Sequence, residues 1–260
     1  MNKRALVAAL GALGVGVGVL ATTVTPAGAH GWQDSPFKSR QAICNQEGGY
    51  NSPDAETSGI KDPACRAAFA EIMKNRGGGA DGRAAAALAF GQPQSVLVAD
   101  SYVDGVGGMH RTRIPDGKLA SAGNGGGADF SGFDLPRGDW QRSTVTSGAE
   151  VEVGYHATAH HAGGHIELYV TKDGVDLSKP LKWDDLEPVP FAYVNDPDLS
   201  NATPTKNPGV MSGDYRFKVT LPEKQGDHVI YTIWQRHKNA DGTGGSGETF
   251  YSASDVTFTK

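Results

Sequence analysis

Hydrophobic and polar positions alternate in several short segments of the second half of the chain. This period of two is typical of strands with one buried face, and the segments are separated by clusters of Gly, Pro, Asn and Asp that favour turns. The pattern predicts a mainly β fold, an antiparallel β-sandwich of the immunoglobulin or fibronectin-III kind. The clearest strands are predicted at residues 151–155, 166–170, 215–219, 228–234 and 255–258.

The first half of the chain has a different pattern. The segment from Cys65 to Arg83 is rich in alanine and other helix-favouring residues, and it predicts one helix within a loop-rich insertion between early strands. Glycine clusters at 77–82, 123–127 and 241–247 predict surface loops. None of them is followed by the Lys-Ser/Thr pair of a phosphate-binding loop.

The amino terminus has the pattern of a secretory signal peptide. Two basic residues precede an apolar run over residues 5–21, and small residues end the segment at Ala29. We therefore expect residues 1–29 to be removed during secretion, which would leave His30 as the first residue of an extracellular protein.

Removal of residues 1–29 from the 260-residue chain leaves 231 residues, which suits a single domain over 30–260 without a separate carbohydrate-binding module. The net charge of −5 includes two basic residues of the predicted leader, so the mature side chains sum to −7. An acidic protein is a poor partner for nucleic acid or anionic membranes, and we expect neither. We expect a monomer.

Cys44 and Cys65 are the two cysteines of the chain. An exported protein meets an oxidising environment, in which such a pair normally forms a disulfide. A thiolate metal site is the weaker alternative, because two sulfurs at this spacing match no zinc motif.

Histidines suggest a different metal site. A histidine at a free amino terminus offers two nitrogens, its imidazole and its α-amine, to one ion. A second imidazole would complete a planar nitrogen set of the kind that Cu(II) prefers. Four of the eight histidines of the chain lie close together, at His156, His160, His161 and His165. The alternative is a polar strand end with solvated histidines.

The chain resembles the bacterial lytic polysaccharide monooxygenases of auxiliary activity family 10, once described as chitin-binding proteins. Similar pieces occur in the same order at 30–31, 39–44, 62–68, 114–119, 121–123, 139–140, 158–161, 169–172, 183–187, 226–231 and 248–251. The resemblance implies one copper ion per chain and oxidative cleavage of an insoluble β-1,4-linked polysaccharide, chitin or cellulose. It also implies O2 or H2O2 as co-substrate and an external electron donor as partner.

The same resemblance implies residue roles. His30 and His161 would bind copper, since His161 ends the family's Thr-Ala-x-His pattern, and His160 is the rival second ligand. Ala159 would shape access to one axial face of the metal and Phe250 would fill the other. Glu248 would reach toward the oxygen species, and its identity resembles that of members that oxidise C1. 

Departures from the family affect stability and substrate. Many relatives have two further cysteines where this chain has Ala120 and Ala253, which implies one lost disulfide and retention of Cys44–Cys65. Leu97 replaces an acidic residue of chitin-acting members. The segment around it lacks the aromatic residues of cellulose-acting members, so the expected substrate contacts are Trp32, Tyr50 and Tyr155.

Chitin is favoured slightly over cellulose, and a cell-envelope glycan is a third alternative. Two other functions stay open at the level of the sequence. One is a glycan-binding protein without catalysis, and the other is a secreted copper carrier.

Overall fold

The computed structural model describes residues 30–99, 109–160, 163–195, 197–207, 210–236 and 247–260. Its ten strands are β1 (His30–Ser35), β2 (Leu97–Val98), β3 (Ser143–Thr146), β4 (Glu150–His160), β5 (Gly164–Val170), β6 (Ala192–Asn195), β7 (Leu199–Pro204), β8 (Met211–Thr220), β9 (Gly226–Arg236) and β10 (Thr249–Thr259). All five strands predicted from the alternating pattern are confirmed.

The strands form two sheets. One has the order β1-β4-β8-β7, and the other has the order β2-β10-β9-β5-β6 with β3 added in parallel to β10. Apolar side chains from the facing sides of both sheets form one core, which includes Val153, Tyr155, Tyr215, Trp234 and Phe250. The predicted β-sandwich is therefore confirmed.

The helical insertion between β1 and the later strands is also confirmed, and it contains α1 (Arg40–Glu47), α2 (Pro63–Asn75), α3 (Gly79–Phe90) and α4 (Met109–Arg113). A second core lies between this insertion and the outer side of the larger sheet, with Phe69 and Phe90 on one side and Tyr231 and Tyr251 on the other. The larger sheet is therefore buried on both faces over much of its area.

The prediction of one helix between Cys65 and Arg83 is wrong. Gly77 and Gly78 adopt positive φ angles of 85° and 70°, a conformation that a right-handed helix does not continue through. The chain turns there and starts α3 at Gly79, so residues 79–82 of the predicted 77–82 loop are helical. Alanine-rich composition indicated helix but did not show the break.

The Cys44–Cys65 disulfide is present and joins α1 to α2. A buried ion pair fixes the same region to the sandwich, because Arg40 of α1 contacts Asp255 of β10 at 2.6 Å. Ala120 and Ala253 are both buried in the second core. Among the helices of the described residues, none is long and apolar enough to cross a membrane.

Candidate metal centre

His30 is the first residue of β1, at one end of the smaller sheet. It pairs with Ala159 of β4, and the hydroxyl of Thr158 donates a hydrogen bond to the His30 carbonyl at 3.3 Å. The pairing register shifts between His30 and Gly31, so a β-bulge separates the terminal histidine from the regular ladder. The half-buried His30 therefore has a fixed backbone and an accessible side chain.

Gly31 explains why the backbone beside His30 lies so close to the core. A Cβ atom at this position would lie 2.5 Å from the carbonyl oxygen of His156 and 2.6 Å from the ring of Tyr155. Only glycine fits such an approach without displacement of β1. The position of His30 thus depends on the absence of a side chain at its neighbour.

Phe250 covers the side of His30 that faces the core. Its side chain is fully buried, and its ring lies 6.2 Å from the imidazole of His30 in an edge-to-face arrangement. The Phe250 ring also packs on the ring of Trp234, with 5.0 Å between the ring centroids. The two residues lie opposite each other in the β9–β10 ladder. The side of His30 that faces the core is therefore apolar and closed to water.

The opposite side of His30 opens into a depression of about 320 Å³. Thr158 and Ala159 of β4 line it, and the segment between β7 and β8 contributes Thr205, Lys206, Asn207 and Val210. The small side chain of Ala159 leaves room above the histidine. The centre therefore has one closed apolar side and one open side whose lining is both polar and apolar.

Glu248 lies two residues before Phe250, immediately before β10 begins. It is half-buried, and its carbonyl accepts a hydrogen bond from the backbone amide of Arg236 at 3.1 Å. This bond continues the β9–β10 pairing past the last ladder residue. It holds the Glu248 backbone on the strand that carries Phe250.

Three histidines of the 156–165 segment are described, and each has a partner. His156 Nδ1 lies 2.8 Å from Asp214, and His160 Nδ1 lies 2.5 Å from the hydroxyl of Tyr215. His165 Nε2 lies 2.9 Å from Glu167. His161 lies outside the described residues, so the prediction that it is the second ligand stays a prediction.

The regular pairing of β4 with β8 does not extend to the end of β4. The β4–β8 register shifts between Ala157 and His160, and this bulge brings His160 to Tyr215, whose ring belongs to the core. The contact occupies one nitrogen of His160 with a core hydroxyl. The Nε2 atom of His160 takes no part in this contact, so His160 stays the rival of His161.

A buried polar network on β5 was not predicted from the sequence. Glu167 accepts hydrogen bonds from His165 at 2.9 Å and from the hydroxyl of Tyr169 at 2.6 Å. Nearby, His110 of α4 hydrogen-bonds the hydroxyl of Tyr251 of β10 at 2.7 Å. Burial acts to raise the pKa of Glu167, but the bonds from His165 and Tyr169 outweigh it and hold that pKa below its ordinary value. Burial lowers the pKa of His110. The signal in the sequence was the polar set at every second position of an otherwise apolar strand.

The aromatic residues predicted to contact substrate have different environments. Trp32 is half-buried and packs on His156 at 4.6 Å, and Tyr50 is half-buried and packs on Phe90 at 6.0 Å. Tyr155 is fully buried between the sheets against Trp234. The prediction of Tyr155 as a substrate contact is therefore wrong, because its ring has no face open to a polymer.

Of the two predicted copper ligands, His30 lies within the described residues. His30 has an accessible imidazole beside an open depression, and an apolar ring closes the other side. Within the described ranges no three or more His, Cys, Asp or Glu side chains are grouped as a metal site.

Comparison with known proteins identifies the family to which the chain belongs. Residues 30–256 match the family described as lytic polysaccharide mono-oxygenase, cellulose-degrading. The chitin-binding protein CbpD of Pseudomonas aeruginosa is 37% identical over 177 residues, which cover 66% of this chain and 40% of that protein. A lytic cellulose monooxygenase of Streptomyces ambofaciens is 36% identical over 162 residues, which cover 62% of this chain and 40% of the relative. The match thus spans well under half of either relative.

Solved structures extend the similarity to the whole fold. The cellulose-active lytic polysaccharide monooxygenase CelS2, solved in complex with copper, is 30% identical with a TM-score of 0.63, and the match covers 88% of this chain and 99% of that one. An enzyme important for chitin utilisation in Cellvibrio japonicus is 32% identical with a TM-score of 0.61, covering 88% and 100%. Since the family match extends from the histidine that begins β1 into β10, the chain belongs to the lytic polysaccharide monooxygenases of auxiliary activity family 10.

Proposed function

We propose that the mature protein is a secreted, copper-dependent monooxygenase that cleaves an insoluble β-1,4-linked polysaccharide by oxidation at C1. His30, through its imidazole and its α-amine, and His161 would hold one copper ion. The observation that supports this most is the position of His30 at the start of β1, between the ring of Phe250 and an open depression. A resident metal there would face solvent and polymer on one side only.

Bound copper would supply the redox chemistry by which an external reductant and O2 or H2O2 lead to loss of a hydrogen atom from a glycosidic carbon. The chain's own residues would shape the surroundings of the metal. Phe250 excludes water from the inner side of the centre because its buried ring fills that space. Ala159 leaves the outer side accessible. Glu248 would hold or deliver a proton beside the oxygen species.

We propose chitin slightly ahead of cellulose as the substrate. The spacing from His161 to Thr171-Lys172 resembles that of chitin-acting members, and the relatives include proteins named for each polymer. Leu97 supports weak binding, because its side chain is buried in the core and offers no polar contact where chitin-acting members have an acid. Trp32 and Tyr50 remain the proposed aromatic contacts with the polymer.

Mass spectrometry of soluble products tests this function. The copper-loaded protein beginning at His30 is incubated with chitin or cellulose and a reductant, with His161→Ala as the matched inactive variant. We expect oligosaccharides with an aldonic acid end, mainly from chitin, and none without reductant. Products oxidised at C4 would contradict the assignment of Glu248. Binding of chitin without any oxidised product would instead support a non-catalytic glycan-binding protein, and copper binding without either would support a carrier.

A further inference from the structure

The open depression beside His30 has a polar wall that the proposed copper chemistry does not require. Lys206 and Asn207 lie in this wall, on the loop between β7 and β8, and both are exposed. Val210 and Ala159 provide the apolar part. A wall that carries an ammonium and an amide suits a ligand with negative charge and hydroxyl groups.

Hydrogen bonds within the loop hold its backbone. The amide of Thr205 donates to the carbonyl of Val210 at 2.9 Å, and the amide of Asn207 donates to the hydroxyl of Thr205 at 3.1 Å. The same hydroxyl contacts the carbonyl of Asn207 at 3.3 Å. These bonds fix the backbone on both sides of Lys206, which lines the depression together with His30.

Lys206 forms no ion pair with the described residues. Some lysines of this chain do contact carboxylates, such as Lys218 with Glu150 at 3.0 Å and Lys224 with Glu187 at 2.7 Å. A carboxylate on a ligand bound in the depression would give the Lys206 ammonium a partner of the same kind.

The size and position of the depression identify which part of a polymer it would take. About 320 Å³ is at the lower end of the range for small-ligand sites, and one substituted sugar ring fits such a volume. Because His30 lines the depression, a sugar unit held there would lie next to the bond attacked in the proposed reaction.

We propose that this depression is a subsite for a carboxylate-bearing sugar, so that the substrate class includes acidic β-linked glycans, with Lys206 and Asn207 as specificity-determining residues. The proposal rests on the proposed function, since it takes the polymer to lie over His30. A small anionic reductant could supply the same charge, and the experiment separates these two sources.

Binding of the copper-free protein to insoluble chitin is measured before and after part of its C6 hydroxymethyl groups are oxidised to carboxylates. Lys206→Gln and Lys206→Glu are compared with Lys179→Gln, an exposed lysine that lines a cavity beside Val229, near the opposite end of β9. For the original protein we expect a preference for the carboxylated polymer that declines as salt is added. Lys206→Gln should lower the ratio of the two affinities about two- to fivefold, as expected for a solvent-exposed ion pair. Lys206→Glu should lower it further, and Lys179→Gln should leave it unchanged.

An equal ratio for Lys206→Gln and Lys179→Gln would overturn the proposal. A second outcome would also overturn it. If Lys206→Gln slows copper reduction by ascorbate but changes neither reduction by a neutral hydroquinone nor polymer binding, Lys206 serves an anionic reductant instead. Oxidised products from unmodified chitin are measured in parallel. If oxidised products form but Lys206→Gln leaves the affinity ratio unchanged, the proposed function stands and only the proposed subsite is wrong.

Discussion

Single residues of the histidine-rich segment differ in what holds their imidazoles. His160 contacts a core hydroxyl, and His165 is buried against Glu167, whereas His161 ends the Thr-Ala-x-His pattern. The sequence could rank these histidines only through the family resemblance. The structure adds what each described imidazole contacts, which gives the three substitutions different expected effects.

We predict that His161→Ala lowers copper affinity strongly and abolishes oxidative activity, whereas His160→Ala keeps most of both. His165→Ala should act on stability instead, because it removes a hydrogen bond from a buried carboxylate. The expected loss is about 1 to 3 kcal/mol of unfolding free energy. Calorimetric copper titration and urea unfolding of the three variants check these outcomes. An essential His160 with a dispensable His161 would contradict the ranking.

Asp134 gives a pH-dependent stability of known sign. Its Oδ2 atom is buried without a hydrogen-bond partner, and burial raises its pKa to about 6 from an ordinary value of 3.8. The folded state therefore keeps a proton that the unfolded chain has lost. The stabilisation is complete below pH 3.8 and is lost as the pH rises through 6.

We predict that Asp134→Asn, which stays neutral, is more stable than the original protein above pH 6 by about 1 to 3 kcal/mol. The advantage should vanish near pH 4. Thermal unfolding over this range measures it, with Asp198→Asn as the control at an exposed carboxylate between β6 and β7. A difference that does not change with pH would show that the Asp134 carboxyl does not titrate in this range.

At the level of elements, the strands could be predicted from their alternating sequence, but burial alternates only along β8 and the end of β4. β5 is buried throughout, and β9 and β10 over most of their length, because the helical insertion covers the outer face of the larger sheet. The same pattern also argued against one of the predicted contacts. Tyr155 shares its period-two face with Val153 and Ala157, and all three are buried. The bulge before His160 could not be predicted, because it depends on how β4 pairs with β8, some 50 residues further along the chain. The break between α2 and α3 was marked only by glycines that a loop also explains.

The pairing of β1 with β4 is the element on which the centre depends most. We predict that Gly31→Ala lowers the unfolding free energy by about 1 to 3 kcal/mol, because the added methyl group collides with the backbone of β4. Copper affinity should fall with it, since His30 moves. Gly138→Ala is the matched control, because a Cβ atom there meets no atom within 4 Å. Equal unfolding free energies for the two variants would contradict the close approach.

Across the whole molecule, the helical insertion and the sandwich contribute differently. The insertion covers one face of the larger sheet and is fixed by the Cys44–Cys65 disulfide and the Arg40–Asp255 ion pair. The sandwich carries His30 and Phe250. Stability and metal binding should therefore be separable by mutation.

We predict that the double variant Cys44→Ala/Cys65→Ala loses about 2 to 4 kcal/mol of unfolding free energy. Its copper affinity should stay close to that of the original protein, since the disulfide joins two helices of the insertion. Urea unfolding and copper titration of one preparation test both parts. A large loss of copper affinity in the folded variant would show that the insertion shapes the centre.

The α-amine of His30 is the central claim, and copper titration followed by electron paramagnetic resonance tests it most directly. The protein that begins at His30 is compared with one that retains a single residue, Ala29, before it. We predict that the first binds one Cu(II) with the signal of a planar set of three nitrogens. The second should bind much more weakly and lose that signal, because its α-amine has become an amide. Equal affinity and identical spectra for the two proteins would contradict the account.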